Sequence, residues 1–262
     1  MTDVSSELDD QAALLRQLHE APELLQVVNV WDAASARVVA DLPRTRAVAT
    51  ASHSIAASHG YEDGERIPLD LMIAAIGRIV DAVPHPVSAD LERGYGDPGG
   101  TVRRAIGVGV VGANLEDAMA PFDTAVAAVR AALSAASAEG VSFVLNARTD
   151  VFLVDEGRTV GEKITEAVRR GRAFLAEGAA CVFVPGALDE TTIAGLVEGL
   201  GERRLSVIGS PGSVAPDRLE ALGVARVSYG PWTQRVALTA VQDTASALYA
   251  GGGVPVGTRV LS

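Results

Sequence analysis

Cysteine is almost absent: Cys181, in the apolar run CVFV, is the single one in 262 residues. A lone cysteine makes no internal disulfide, and in such a run it reads as a packed strand residue. Positive charge is also scarce. The chain has 22 lysines and arginines against 33 acids, a net charge of −11. No basic run or stripe gathers the charge that nucleic acid or an anionic membrane demands, so neither is an expected partner. No stretch approaches the roughly 20 apolar residues of a membrane span. The opening MTDVSSELDDQAALLRQLHE is acidic and lacks the apolar core of a secretory signal. These absences together predict a soluble, cytoplasmic protein. No Ser-His-Asp set or activated cysteine can be assembled either.

What the chain has is alternation. Short β-rich runs lie at 27–30, 47–52, 86–91, 111–116, 143–148, 181–185, 205–210 and 226–230. Several are apolar on both faces, the pattern of parallel strands covered by helices. Between them run helical stretches such as IPLDLMIAAIGRIVDAV, with Pro68 near its start and Leu71, Ile73, Ala74, Ile76, Ile79 and Val80 as apolar positions. Gly140, Gly178 and Gly201 fit helix stops. Eight strand-then-helix units without a compositional break predict one domain over residues 1–262. Its fold class is α/β, a (β/α)8 TIM barrel with an extra helix ahead of the first strand. The rival is an open doubly wound sheet. The final VPVGTRVLS is a short tail that could dock on a neighbouring subunit.

In a barrel the strand C-termini converge on one rim. Asp90 and Glu92 end the third strand run, Glu116 the fourth, and Asn146, Arg148 and Asp150 the fifth. Two acids spaced by two along a strand point the same way and repel unless a cation lies between them. Asp90, Glu92 and Glu116, with no His or Cys nearby, form a hard-oxygen set suited to Mg²⁺ or Mn²⁺. The plainer alternative is that these acids cap the following helices. Arg148 either grips a substrate carboxylate or phosphate, or makes an internal ion pair with Glu116 or Asp150. His53 is either an acid–base group or a packing residue. GYGDPGG (94–100) lacks P-loop spacing. GSPGS (209–213) is either a phosphate turn or simply a tight turn.

Taken together, D-x-E-R-G-Y-G (Asp90 to Gly96), N-L-E-D (Asn114 to Asp117) and N-A-R-T-D (Asn146 to Asp150) resemble the motifs of the isocitrate lyase and phosphoenolpyruvate mutase superfamily. NVWDAASARVV (29–39) and TASHSIAASHGYED (50–63) are similar to its opening region. The resemblance covers most of the chain, in order. It implies a barrel commonly assembled as a dimer of dimers with the last helix exchanged. It implies Mg²⁺ held directly by Asp90, with Glu92 and Glu116 acting mainly through water. It also implies a substrate carboxylate received by the backbone of Ser52 and His53, helped by Thr50 or Ser52. Arg148 would contact the substrate, with Asn146 beside it and Asp63 as an acid near the site.

The chain also departs from that pattern. Where the lyases carry a K-[KR]-C-G-H lid and the mutases a Lys and an Asn-Ser pair, this chain reads EDAMAPFDTAVAAV. The expected function is therefore Mg²⁺-dependent making or breaking of a C–C bond in a small 2-oxo or 2-hydroxy acid, through a metal-stabilised enolate. Catalytic candidates are Arg148, Asp63 and His53, and the proton donor is open among water, His53 and Tyr95. Two alternatives stand beside it: P–C bond chemistry of the mutase kind, and a protein that binds a 2-oxo acid without turnover. A homo-oligomer is expected.

Overall fold

Strands that are apolar on both faces must be covered on both, and a closed barrel wrapped in helices does this without leaving an edge. The structure, a computed structural model, describes residues 4–154 and 157–261. Eight parallel strands close in chain order: β1 (Leu25–Val30), β2 (Val48–Thr50), β3 (Val87–Asp90), β4 (Gly112–Glu116), β5 (Val144–Arg148), β6 (Cys181–Phe183), β7 (Leu205–Ile208) and β8 (Arg226–Ser228). β8 pairs with β1, with Arg226 level with Leu25. The open-sheet rival is excluded.

The helices are α1 (Val4–Glu20), α2 (Ala33–Ala40), α3 (Ser52–Ser58), α4 (Leu69–Val80), α5 (Pro98–Gly107), α6 (Phe122–Ala138), α7 (Val160–Ala176), α8 (Glu190–Leu200), α9 (Pro216–Ala221) and α10 (Trp232–Tyr249). None of them, among the described residues, is long and apolar enough to cross a membrane. Local chemistry sets several starts. Asp32 and Ser35 form a capping box at α2, Thr159 and Glu162 another at α7, and Asp97 and Asp189 cap α5 and α8. Asp32, which the strand pattern puts on the rim, is thus a helix cap. On α4 the core face is Met72, Ile73, Ala75, Ile76 and Ile79, while Leu71 and Ala74 turn outward. The expected strand 47–52 stops at Thr50, because Ser52 opens the short α3.

The barrel interior is unusually polar. Asn146 donates from Nδ2 to Asn114 Oδ1 at 2.8 Å and across the barrel to Ser206 Oγ at 3.2 Å. Arg226, fully buried, donates from Nη1 to Ser88 Oγ at 3.0 Å on the far wall. Burial lowers its pKa to about 10. His19, on α1 beneath the barrel, is pushed down to about 3 by burial, then by the Arg226 charge. Cross-wall hydrogen bonds of this kind hold opposite strands in register.

Helix α1 seals the barrel floor, and its Leu15 is buried against Gly112 of β4. A Cβ at Gly112 would meet the Val144 carbonyl oxygen and Leu15 Cδ2, both at 2.7 Å. Backbone cannot move aside as a side chain can. Gly112→Ala is therefore expected to cost about 1–3 kcal/mol, and Leu15→Ala in the same chain should not restore it. Urea denaturation of the single and double variants checks this.

Candidate active site

β3 brings Asp90 to the rim, and two neighbours fix it there. Thr50 Oγ1 accepts from the Asp90 backbone N–H at 2.9 Å. Asp90 Oδ2 accepts from Ser52 Oγ at 2.7 Å and from Ser52 N–H at 3.1 Å, at the start of α3. Oδ1 has no hydrogen bond from a described residue. Glu92 reaches the same mouth by a different route from the strand alternation expected of it. The strand ends at Asp90, Leu91 buries, and Glu92 takes φ 51°, a left-handed turn. Its carboxylate accepts from Glu65 N–H and from Tyr95 OH at 3.3 Å. Burial first, then the charge of Asp90, raises the Glu92 pKa to about 7.

Register places Glu116 directly beside Arg148. Arg148 Nη1 lies 2.7 Å from Glu116 Oε2, and its Nε donates to Asp150 Oδ1 at 2.7 Å. The internal ion pair and the substrate clamp were alternatives for Arg148; in this structure both carboxylates hold it through Nη1 and Nε, with Nη2 unpartnered among the described residues. The guanidinium lies 6.0 Å from the centre of the Phe183 ring. Burial pulls the Arg148 pKa down, but Asp150, Glu116 and Asp90 together raise it above its usual value. One guanidinium cannot satisfy both partners: burial, with Asp150, Asp90 and Glu92 adding, raises Glu116 to about 8 against the pull of Arg148.

Other expected residues stand around these acids rather than among them. Asn146 is wholly buried one layer beneath Arg148, its oxygen unpartnered among the described residues. The Thr50 hydroxyl is spent on the Asp90 backbone. His53 Nδ1 faces Asp63 Oδ2 at 3.5 Å, both side chains about half exposed. GSPGS is a turn closed on itself, Ser213 N–H to Ser210 O at 3.0 Å and Ser210 N–H to Ser213 Oγ at 3.1 Å. Asp117 is structural. It accepts from Thr149 Oγ1, Asp150 N–H and Met119 N–H, and pairs at 3.0 Å with the buried Arg170 of α7.

Two organising residues escaped the sequence reading. Glu65, at φ 63°, accepts from Tyr95 N–H at 2.7 Å and from Arg93, and so ties the 60–66 loop to the Glu92 turn. Its only signal was an acid-rich loop. Arg170 had none, since an arginine on a helix ordinarily faces water.

The donor set decides which cation fits. Asp90, Glu92, Glu116 and Asp150 are hard oxygen donors at one mouth, and Arg148 pairs with only two of them, so a dication would offset the surplus negative charge. Among the described residues, however, no three acidic, His or Cys side chains converge to hold one ion together. The arrangement therefore fits Mg²⁺ or Mn²⁺ held by the free oxygen of Asp90 and otherwise through water, with Glu92 and Glu116 at the next remove. It does not fit a cage of three direct ligands.

Comparison with known proteins follows the same lines. The family described as phosphoenolpyruvate phosphomutase matches residues 15–249. A provisionally named phosphonomutase of Burkholderia cenocepacia J2315 is 36% identical with a TM-score of 0.84, over 90% of this chain and 99% of that one. An oxaloacetate decarboxylase of Bradyrhizobium diazoefficiens is 27% identical over 90% of this chain and 84% of its own length. A 2,3-dimethylmalate lyase of Eubacterium barkeri is 28% identical over 90% and 86%.

Raised carboxylate pKa values have a sign for stability. In the folded metal-free protein Glu92 and Glu116 keep protons that an unfolded chain releases near pH 4.5. Their contribution is full below that value and is lost as pH rises through about 7 and 8. Between pH 5 and 8 the Tm of the metal-free protein should fall more steeply in the parent than in Glu116→Gln, whose amide cannot ionise. Parallel thermal melts in chelator compare the two slopes, and equal slopes would count against the assignment.

Proposed function

Because the chain belongs to the phosphoenolpyruvate phosphomutase family, within a superfamily of lyases and mutases of small carboxylic acids, we propose that it is a Mg²⁺-dependent C–C lyase of a small 2-oxo or 2-hydroxy acid. The observation that carries this reading is the mouth itself: Glu116 and Asp150 hold Arg148, while Asp90 and Glu92 stand at the same C-terminal rim paired with no guanidinium. A dication there supplies Lewis acidity for the negative charge that develops on a keto-acid oxygen as the bond breaks.

The chain's own residues do the rest. Ser52 fixes one oxygen of Asp90 and so orients the other toward the mouth. Thr50 holds the strand beneath it. Arg148 offers its free Nη2 to substrate oxygens while Glu116 and Asp150 hold its plane. The named relatives support the substrate class, since one is an oxaloacetate decarboxylase and another a dimethylmalate lyase. P–C chemistry fits less well. A moving phosphoryl group needs a cation to meet it; Arg148 is at hand, but the turn after β4, DAMAP, holds no lysine to join it.

Helix α10 supports a homo-oligomer. Beyond Gln234 it is little covered, with Val236 69%, Leu238 57% and Val241 64% exposed. Apolar residues repeated along one helix at such exposure suit a second copy of the chain. Light scattering should give a dimer or larger, and Val236→Glu with Val241→Glu should shift it toward monomer; a monomeric parent would remove this part of the proposal.

Calorimetry with Mg²⁺ and oxalate, a planar mimic of the keto-acid enolate, tests the site. Binding should need both, and Asp90→Ala should abolish it and all turnover on a panel of oxaloacetate, alkyl malates and phosphonopyruvate. Turnover of phosphonopyruvate alone would transfer the assignment to P–C chemistry, and full activity of Asp90→Ala would end it.

A further inference from the structure

Resting on that reading, we infer that His53, positioned by Asp63, is the acid that returns a proton to the reacting carbon. When a C–C bond beside a 2-oxo group breaks, its electron pair stays on the keto-acid fragment as an enolate. That carbon must gain a proton before the keto acid leaves. In the proposed step His53 acts as the imidazolium: its Nε2–H bond breaks, a C–H bond forms at the enolate carbon, and the neutral ring that remains, with its proton on Nδ1 toward Asp63, takes a second proton back from solvent.

Elimination narrows the donor. The turn after β4 has no Cys, Lys or His. Cys181 is wholly buried in the barrel wall, its thiol pushed up to about 12 by burial. Tyr95 donates to Glu92, and burial and that carboxylate raise its pKa, which makes it a weaker acid. Of the four histidines, His19 is buried at the barrel floor with Nδ1 on Leu15 O. His59 is bonded to Ile55 O, and His85 to Ala40 O at the opposite face. Among the described residues, the His53 ring is the one with no backbone partner.

Placement is the positive argument. His53 directly follows Ser52, whose N–H and hydroxyl grip Asp90. Asp63 lies two residues before Glu65, whose N–H grips Glu92. The pair is thus pinned at both ends to the acids that define the mouth. With Asp63 Oδ2 3.5 Å from Nδ1, Nε2 is the ring nitrogen that faces no carboxylate among the described residues. At 41% and 54% exposure the two side chains can exchange protons with water.

The test needs no knowledge of the natural substrate. Pyruvate with Mg²⁺ in D₂O should exchange its methyl protons on the enzyme, followed by ¹H NMR. His53→Gln should lose about 10²-fold or more of that rate, with oxalate affinity by calorimetry within a factor of about three, under the 1.4 kcal/mol of a tenfold change. Added imidazole should restore part of the exchange in His53→Ala, which a merely structural role would not allow. Asp63→Asn should slow exchange without weakening oxalate, and Asp63→Glu should recover part of it. Parent-like exchange in His53→Gln, or a parent enzyme that binds oxalate yet does not exchange pyruvate, overturns the role of His53 and leaves the proposed function standing. Failure of the parent to bind oxalate or pyruvate with Mg²⁺ overturns both.

Discussion

Four carboxylates stand at the rim of this barrel and a guanidinium pairs with only two of them, and most of the local structure follows from that imbalance. Glu116 and Asp150 hold Arg148 from two sides, which fixes its plane but leaves neither acid a whole positive charge. Asp90 and Glu92 lie beyond its reach and are stabilised by backbone and hydroxyl donors: Ser52 for one, Glu65 N–H and Tyr95 for the other. Each donor keeps an acid in place without neutralising it. It is this charge, held in a partly buried setting, on which the proposal of a bound dication rests.

The scaffold bears this repulsion because its inner wall is cross-linked. Asn146 ties β5 to β4 and β7, and Arg226 ties β8 to β3. Outside, the buried Arg170 of α7 clamps Asp117 at 3.0 Å and the Ala120 carbonyl at 2.9 Å, locking the turn after β4. Removing one partner from such a buried pair leaves a charge stranded in low dielectric. The rim acids are therefore held against mutual repulsion by contacts that lie one layer away from them.

The fold was largely legible because its signal is repetitive. Eight apolar runs alternating with eight helical stretches leave few architectures, and absence of a break favours closure. Asp90, Glu116 and Arg148 were legible because strand ends in a barrel share a rim. Glu92 reached the right place for the wrong reason, since a left-handed turn and not strand alternation brings it there. The expected second strand overran by two residues into Ser52, where α3 begins, because Ala-Thr-Ala-Ser has no helical period within so short a run, and α3 itself was not anticipated. Glu65 and Arg170 were invisible for a common reason: each acts through contacts about 30 to 50 residues away in sequence. Leu71 and Ala74 on α4 show the limit of periodicity alone, which marks two apolar faces without saying which one meets the barrel.

The turn after β4 bears most directly on which chemistry the site can run. Residues 117–121 are all that joins β4 to α6. Ala118 and Met119 take φ 43° and 56°, and Asp117 and Arg170 tie the turn at both ends. A segment so short and so bonded cannot swing across the mouth as a lid. Reactions differ in what an open mouth costs them. Phosphoryl transfer to carbon must exclude water, which competes for the moving group. Decarboxylation or retro-aldol cleavage has no such competitor, because water reaching the enolate delivers the same proton that an acid would and yields the same keto acid. The shortened turn therefore weighs against phosphoryl migration and is tolerable for C–C cleavage. It also leaves the His53 imidazole, 41% exposed, open to solvent.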